Sequence, residues 1–119
     1  MVLNITTCKM AGVVVVYLCG AIPFGEESAS LLTHVKELLS DSRQIVLELG
    51  NVTQFDSGSV GILVAVYDAA RKVGAEIKLA NLNDHTREVL QITKLLTVFE
   101  IFRSAEDAIE SFHGRQQTA

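Results

Sequence analysis

Two serines, Ser57 and Ser59, lie in the run Phe55-Asp56-Ser57-Gly58-Ser59-Val60-Gly61, where one apolar stretch ends and another begins. A hydroxyl at such a junction has two uses. It can cap a helix by accepting a backbone N–H bond, which is worth about 1 kcal/mol. It can also carry a phosphoryl group, because the first N–H groups of a helix have no partner within it and attract negative charge. Taken alone, one serine at a helix start favours capping.

Other chemistries fit these residues less well. A hydrolase nucleophile elbow reads Gly-x-Ser-x-Gly on a strand–turn–helix. Around Ser59 the first Gly is replaced by Ser57, and the later Asp84 and His85 are adjacent, which is not how an acid orients a base in space. The chain is also short for such an enzyme. A phosphate-binding loop needs Gly-Lys-Ser/Thr at its end, and Gly61 is followed by Ile62. His34, His85 and His113 are far apart, without ligand spacing, and read as surface residues. No metal or cofactor is expected.

These candidates need a scaffold, and the bulk properties allow one. A chain of 119 residues suits a single domain, expected here over residues 1–119. It can bury about two thirds of its unfolded surface, so it needs no disulfide or metal staple. Apolar residues make up 49% and charged residues 20%, which argues against disorder. The formal net charge is −4 and the ten Lys and Arg are scattered, so nucleic acid is not an expected partner.

Val13 to Phe24 is about a dozen residues long, short of the roughly 20 that a spanning helix needs. It contains Gly20 and Pro23 and no basic region precedes it, so neither a membrane span nor a signal peptide is expected. Cys8 and Cys19 fit a reducing compartment. If Ala11-Gly12 turns a hairpin, Cys8 faces Val15 and stands about 13 Å from Cys19, too far for a disulfide. The expected location is the cytoplasm.

The periodicity predicts a strand over Leu3–Met10 and a turn at Gly12. A second strand follows over Val13–Cys19, buried on both faces because its apolar run is unbroken. Gly20–Gly25 reads as a loop. Leu31, Leu32, Val35, Leu38 and Leu39 share one helical face, with Glu26, Glu27 and Ser28 near the helix start. Gln44–Leu49 is a third strand. Ser59 to Val73 is a helix, apolar nearly all round and so expected to be buried on most sides; Arg71, Lys72 and Gly74 end it. Glu76–Ala80 is a fourth strand, Asp84 caps a short helix through Ile92, and Val98–Phe102 is a fifth strand. Phe99 and Phe102 with Leu95, Leu96 and Val98 are expected in the core. Ser104-Ala105-Glu106-Asp107 opens a last helix, in a pattern like a capping box, which ends near Phe112. Residues 113–119 are expected to form a flexible tail beyond an ordered core of about residues 3–112. The order ββαβαβαβα implies an α/β fold, with helices packed on a largely parallel or mixed sheet.

Several segments stand in a telling order. Ile45-Val46-Leu47-Glu48-Leu49 and Val52 lead into Phe55-Asp56-Ser57, and Val60-Gly61 closes the loop. Gly74-Ala75-Glu76-Ile77-Lys78-Leu79 follows the helix, then Val89-Leu90-Gln91-Ile92-Thr93-Lys94-Leu95 and Val98-Phe99. In this the chain resembles, over about Leu3 to Phe112, the STAS family, named for sulphate transporters and anti-sigma factor antagonists. The resemblance implies a STAS-like, mostly parallel sheet of about five strands carrying about four helices.

The resemblance further implies a non-enzymatic protein switch. In the family the unphosphorylated antagonist binds an anti-sigma factor that is also a serine kinase, and so frees the sigma factor. The kinase phosphorylates the loop serine, and a separate serine phosphatase reverses this. Carried over by position, Ser57 is the phosphoacceptor, Asp56 the acid before it, and Gly58, Ser59, Val60 and Gly61 shape the loop. The chain departs from the family pattern twice. Ser59 stands where Gly is usual, which adds a second candidate acceptor. Pro23-Phe24 stands in the partner-binding loop after the second strand, where an Asp is common. A STAS module that is not phosphorylated, serving a lipid-transport or signalling assembly, is the alternative.

Overall fold

The computed structural model describes residues 3–21, 26–55 and 57–117. In chain order these form β1 (Leu3–Met10), β2 (Val13–Ala21), α1 (Glu26–Leu39), β3 (Gln44–Gln54), α2 (Ser57–Lys72), β4 (Glu76–Ala80), α3 (Asp84–Ile92), a 3-10 turn (Leu95–Thr97), β5 (Ile101–Phe102) and α4 (Ala105–Gln117). The five strands make one sheet in the order β1-β2-β3-β4-β5. β1 runs antiparallel to β2, and every other neighbouring pair is parallel.

A tight turn fixes the β1–β2 register. Ala11 and Gly12 both have positive φ, 53° and 81°, as a two-residue hairpin turn demands. Cys8 then pairs with Val15, as the sequence predicts, and Cys19 pairs with Asn4. Both thiols are free and exposed.

The unbroken apolar run of β2 serves both faces of the sheet. Val14, Val16 and Leu18 pack beneath α1 and α2, with Leu31, Val35, Leu39, Leu63 and Val66. Val13 and Val15 pack on the opposite face against Ala105, Ala108, Ile109 and Phe112 of α4.

That second face also holds a buried cation. Lys78 of β4 is 1% exposed. Its Nζ donates to Ser111 Oγ at 2.7 Å, lies 4.0 Å from the centre of the Phe112 ring and 5.4 Å from that of Phe102, and stands 3.7 Å from a Glu100 carboxylate oxygen. The long side chain thus clips β4 to α4 by a hydrogen bond and the Phe112 ring, and also meets the Phe102 ring of β5.

Several boundaries differ from the sequence reading. β2 includes Gly20 and Ala21, and β3 continues past Leu49 to Gln54. α2 begins at Ser57 rather than Ser59, and α4 runs beyond Phe112 to Gln117. The α3 cap is Asn83, not Asp84: the Asn83 side chain accepts the Thr86 N–H at 2.8 Å, and Asp84 is the first helical residue. The last strand is only Ile101–Phe102, because Lys94 turns left-handed (φ 64°) and starts the 3-10 turn that precedes it. Val98 is consequently 41% exposed rather than in the core, although Phe99 is buried. Ser104 does cap α4, accepting the Asp107 N–H at 3.1 Å.

The expectation for α2 also needs correction. Val60, Leu63, Val66 and Ala70 are buried, but Gly61, Val64 and Asp68 face outward and Val64 is 44% exposed. α2 packs on the sheet and on α1, which leaves its third side open.

Candidate functional site

The Ser57 turn begins with a change of period in β3. Ile45, Leu47 and Leu49 enter the α1/α2 core at every second residue, as a regular strand requires. The next residues to enter it are Val52 and Phe55, three apart. Two register slips explain this. Tyr17 pairs with Glu48 but Cys19 with Asn51, and Gly20 pairs with Val52 but Ala21 with Gln54. Each slip puts one extra residue into β3, bends it, and returns the next apolar side chain to the same face. Phe55 ends 1% exposed, so the approach to Asp56-Ser57 is anchored by an aromatic ring.

Beyond that anchor, α2 opens at Ser57 and runs for 16 residues. Its first turn contains no acid of its own, while Arg71 and Lys72 stand in its last turn. The helix dipole therefore leaves a partial positive charge at the Ser57 end. Ser59 is 0% exposed and Val60 nearly so, which gives the turn a second anchor. At Gly61 an added Cβ would meet open space, so close packing does not demand a glycine there. Asp56 lies outside the described residues, as do Pro23 and Phe24.

Three side chains that the sequence reading did not credit meet this region. β3 and β4 stop pairing at Glu48 and Ala80. The chain after β4 then turns at Asn81, whose φ is 57°. Asn81 Nδ2 donates to one Glu48 carboxylate oxygen at 3.0 Å, and the Gly50 N–H donates to the other at 2.7 Å. A Cβ at position 50 would collide with the Asn81 amide and displace it from Glu48. Asn83 caps α3 with its oxygen and donates from Nδ2 to the Val52 carbonyl at 2.9 Å. His85 donates from Nε2 to the Phe55 carbonyl at 2.8 Å. A carbonyl only accepts, so this ring nitrogen carries the proton.

The other histidines make separate contacts. His34 Nε2 shares a hydrogen bond with Thr7 Oγ1 at 2.8 Å, and His113 Nε2 donates to the Ala11 carbonyl at 2.7 Å. Each ties a helix to the β1–β2 hairpin. Among the described residues, no cluster of three His, Cys, Asp or Glu side chains is placed to hold a metal, and no helix is long and apolar enough to cross a membrane.

The signal for the missed residues is in the sequence: Asn81, Asn83 and His85 alternate immediately after a buried strand. Asn there reads as turn and cap chemistry. What the alternation does not reveal is the partner strand.

Known proteins resemble this chain in sequence or in fold. BtrV of Bordetella bronchiseptica, whose name describes it as a candidate anti-sigma factor antagonist, is 26% identical over 110 residues, covering 92% of this chain and 95% of its own. The solved structure of the anti-sigma factor antagonist SpoIIAA in its unphosphorylated form superposes with a TM-score of 0.78 at 18% identity, covering 93% of this chain and 97% of that one. The Bacillus cell fate determinant SpoIIAA in its phosphorylated form gives 0.70 at 18% identity, covering 92% and 99%. The mixed five-stranded sheet with four helices matches the fold of the SpoIIAA structures. Residues 4–108 match the STAS domain, and with that match over most of its length this chain belongs to the STAS family.

Proposed function

We propose that this protein is a cytoplasmic anti-sigma factor antagonist switched by phosphorylation of Ser57. The unphosphorylated form binds an anti-sigma factor that is also a serine kinase, and so releases the sigma factor. The observation that carries this reading is the placement of Ser57 as the first residue of α2, between two buried anchors, Phe55 and Ser59. Ser59, at 0% exposure, would have to leave the core to meet a kinase, which favours Ser57 as the acceptor. The likeness to BtrV and to SpoIIAA, a protein solved in both phosphorylation states, supports the same reading.

The transfer is simple in its atoms. The Ser57 hydroxyl oxygen bonds the γ-phosphorus of ATP, the bond to ADP breaks, and the hydroxyl proton leaves to a base of the kinase. A serine phosphatase hydrolyses the ester to serine and inorganic phosphate. Catalysis belongs to those partners; this chain supplies the hydroxyl and needs no cofactor.

Phosphorylation adds about −1.5 to −2 charges at the end of α2 that best tolerates them. The domain stays folded while the surface that meets the kinase becomes strongly negative, with Asp56 adding to it. Beside this turn lies an apolar groove of about 530 Å³, lined in part by Gly61, Val64, Leu95 and Val98, that offers the kinase a docking surface. Loss of contacts and like-charge repulsion then end the complex.

Incubation with the cognate kinase and ATP, followed by mass spectrometric mapping, tests the assignment. Phosphate on Ser57 is expected; no phosphate, or phosphate on a residue remote from this turn, sinks the switch. Ser57→Asp should weaken kinase binding by about tenfold to a hundredfold in a titration, and equal affinity for both forms contradicts the repulsion argument.

A further inference from the structure

The segment after β4 takes over where the main-chain ladder ends. Pairing of β3 with β4 stops at Glu48 and Ala80, yet β3 continues to Gln54. From the last paired residue of β3 to the residue just past its end, side chains at every second position after β4 reach across. Asn81 reaches the Glu48 carboxylate, Asn83 the Val52 carbonyl and His85 the Phe55 carbonyl. The last of these holds the residue two before Ser57.

Burial and hydrogen bonding fix different things at Phe55. Its ring, 1% exposed, fixes where the residue sits. The ring does not fix which way the following peptide points, because rotation about the Cα–C bond swings the carbonyl and Asp56 without moving the side chain. The 2.8 Å bond from His85 Nε2 removes that freedom by holding the carbonyl oxygen. The Phe55 carbonyl, two residues before Ser57, is therefore held from α3, an element separate from both β3 and α2.

We propose that His85 is a positioning residue: by holding the Phe55 carbonyl it orients the turn that presents Ser57, and so sets how readily the partner kinase engages that serine. The orientation stands on the geometry alone; the effect on the kinase rests on Ser57 as the acceptor.

Two variants separate this role from general stability. His85→Phe keeps a ring and removes the donor, while His85→Gln keeps an N–H donor at a similar reach. Backbone amide exchange across residues 56–59, followed by mass spectrometry, reads the turn directly. The KM and kcat of the cognate kinase for each variant read engagement. His85→Phe should speed exchange by about three- to tenfold and raise KM by a similar factor with kcat unchanged, and His85→Gln should restore both to within about twofold.

Unchanged exchange in His85→Phe overturns the proposal. So does a His85→Gln that exchanges as fast as His85→Phe while both melt at the wild-type temperature. Faster exchange with an unchanged KM overturns the link to the kinase. If the wild type accepts no phosphate, the Ser57 assignment falls, and the exchange measurement alone still decides whether His85 orients the turn.

Discussion

Polar side chains serve two different ends on either side of β4. Under α4, Lys78 is shut away from water, its ammonium held by Ser111 and the faces of Phe112 and Phe102. Past the end of β4, Asn81 and His85 are exposed and Asn83 is half-buried, and all three reach β3 or the residue that follows it. A buried cation has no water to return to, so losing its setting is costly. A hydrogen bond that water can reach contributes less net stability, but it still fixes direction. On the proposed reading, holding the fold together and aiming the Ser57 turn fall to separate groups.

The sharpest test of that division is Lys78→Ala. Deleting the side chain leaves a gap between β4 and α4 and strips Ser111 of one partner, so urea denaturation should show a loss of about 2–4 kcal/mol. Kinase affinity of the folded protein should change by less than about twofold. A large affinity loss without a stability loss would erase the contrast between the two regions.

Asn83→Ala comes next, because Asn83 belongs to both categories. It caps α3 and holds the Val52 carbonyl. A loss of about 1–2 kcal/mol is expected, with faster amide exchange both in the first turn of α3 and at the end of β3. Faster exchange in α3 alone would mean that the Val52 contact does not restrain β3.

The smallest effect belongs to Lys72→Ala. Lys72 pairs with Asp68 at 3.2 Å on the outer surface of α2, where both side chains are well exposed. Thermal and urea unfolding should move by no more than about 0.5 kcal/mol. A larger change would show that the groove between α1 and α2, which Lys72 lines with Leu32, Lys36 and Leu39, contributes energy that a surface pair does not explain.

The scaffold was legible because its signals are local or strictly periodic. The four consecutive valines of β2 announce burial on both faces, and the Ala11-Gly12 turn sets Cys8 against Val15. Gly74 and the basic residues before it end α2 where expected. What failed depends on distant partners. Asn83 and Asp84 are equally good caps by type, and the Val52 carbonyl waiting for a donor distinguishes them. Val52 is out of phase with Ile45, Leu47 and Leu49 at period two; the first register slip against β2 brings it into the core, and the second brings in Phe55 three residues on. Val98 looked like core because the left-handed Lys94, which starts the 3-10 turn, carries no sequence signature. The Ser57 run stands out by residue type and order, whereas the contact of His85 with the Phe55 carbonyl was hidden by 30 residues of separation.

The two buried anchors of the turn give it a fixed measure. Between Phe55 and Ser59 there are three residues, so the chain can span no more than about 14 Å from one anchor to the other. The height at which Ser57 rides is then governed by a count of residues more than by the identity of those residues. On the proposed reading, residues 56 and 58 around the serine can be exchanged for another kinase's preferred sequence, while one inserted or deleted residue shifts Ser57 around the helix end.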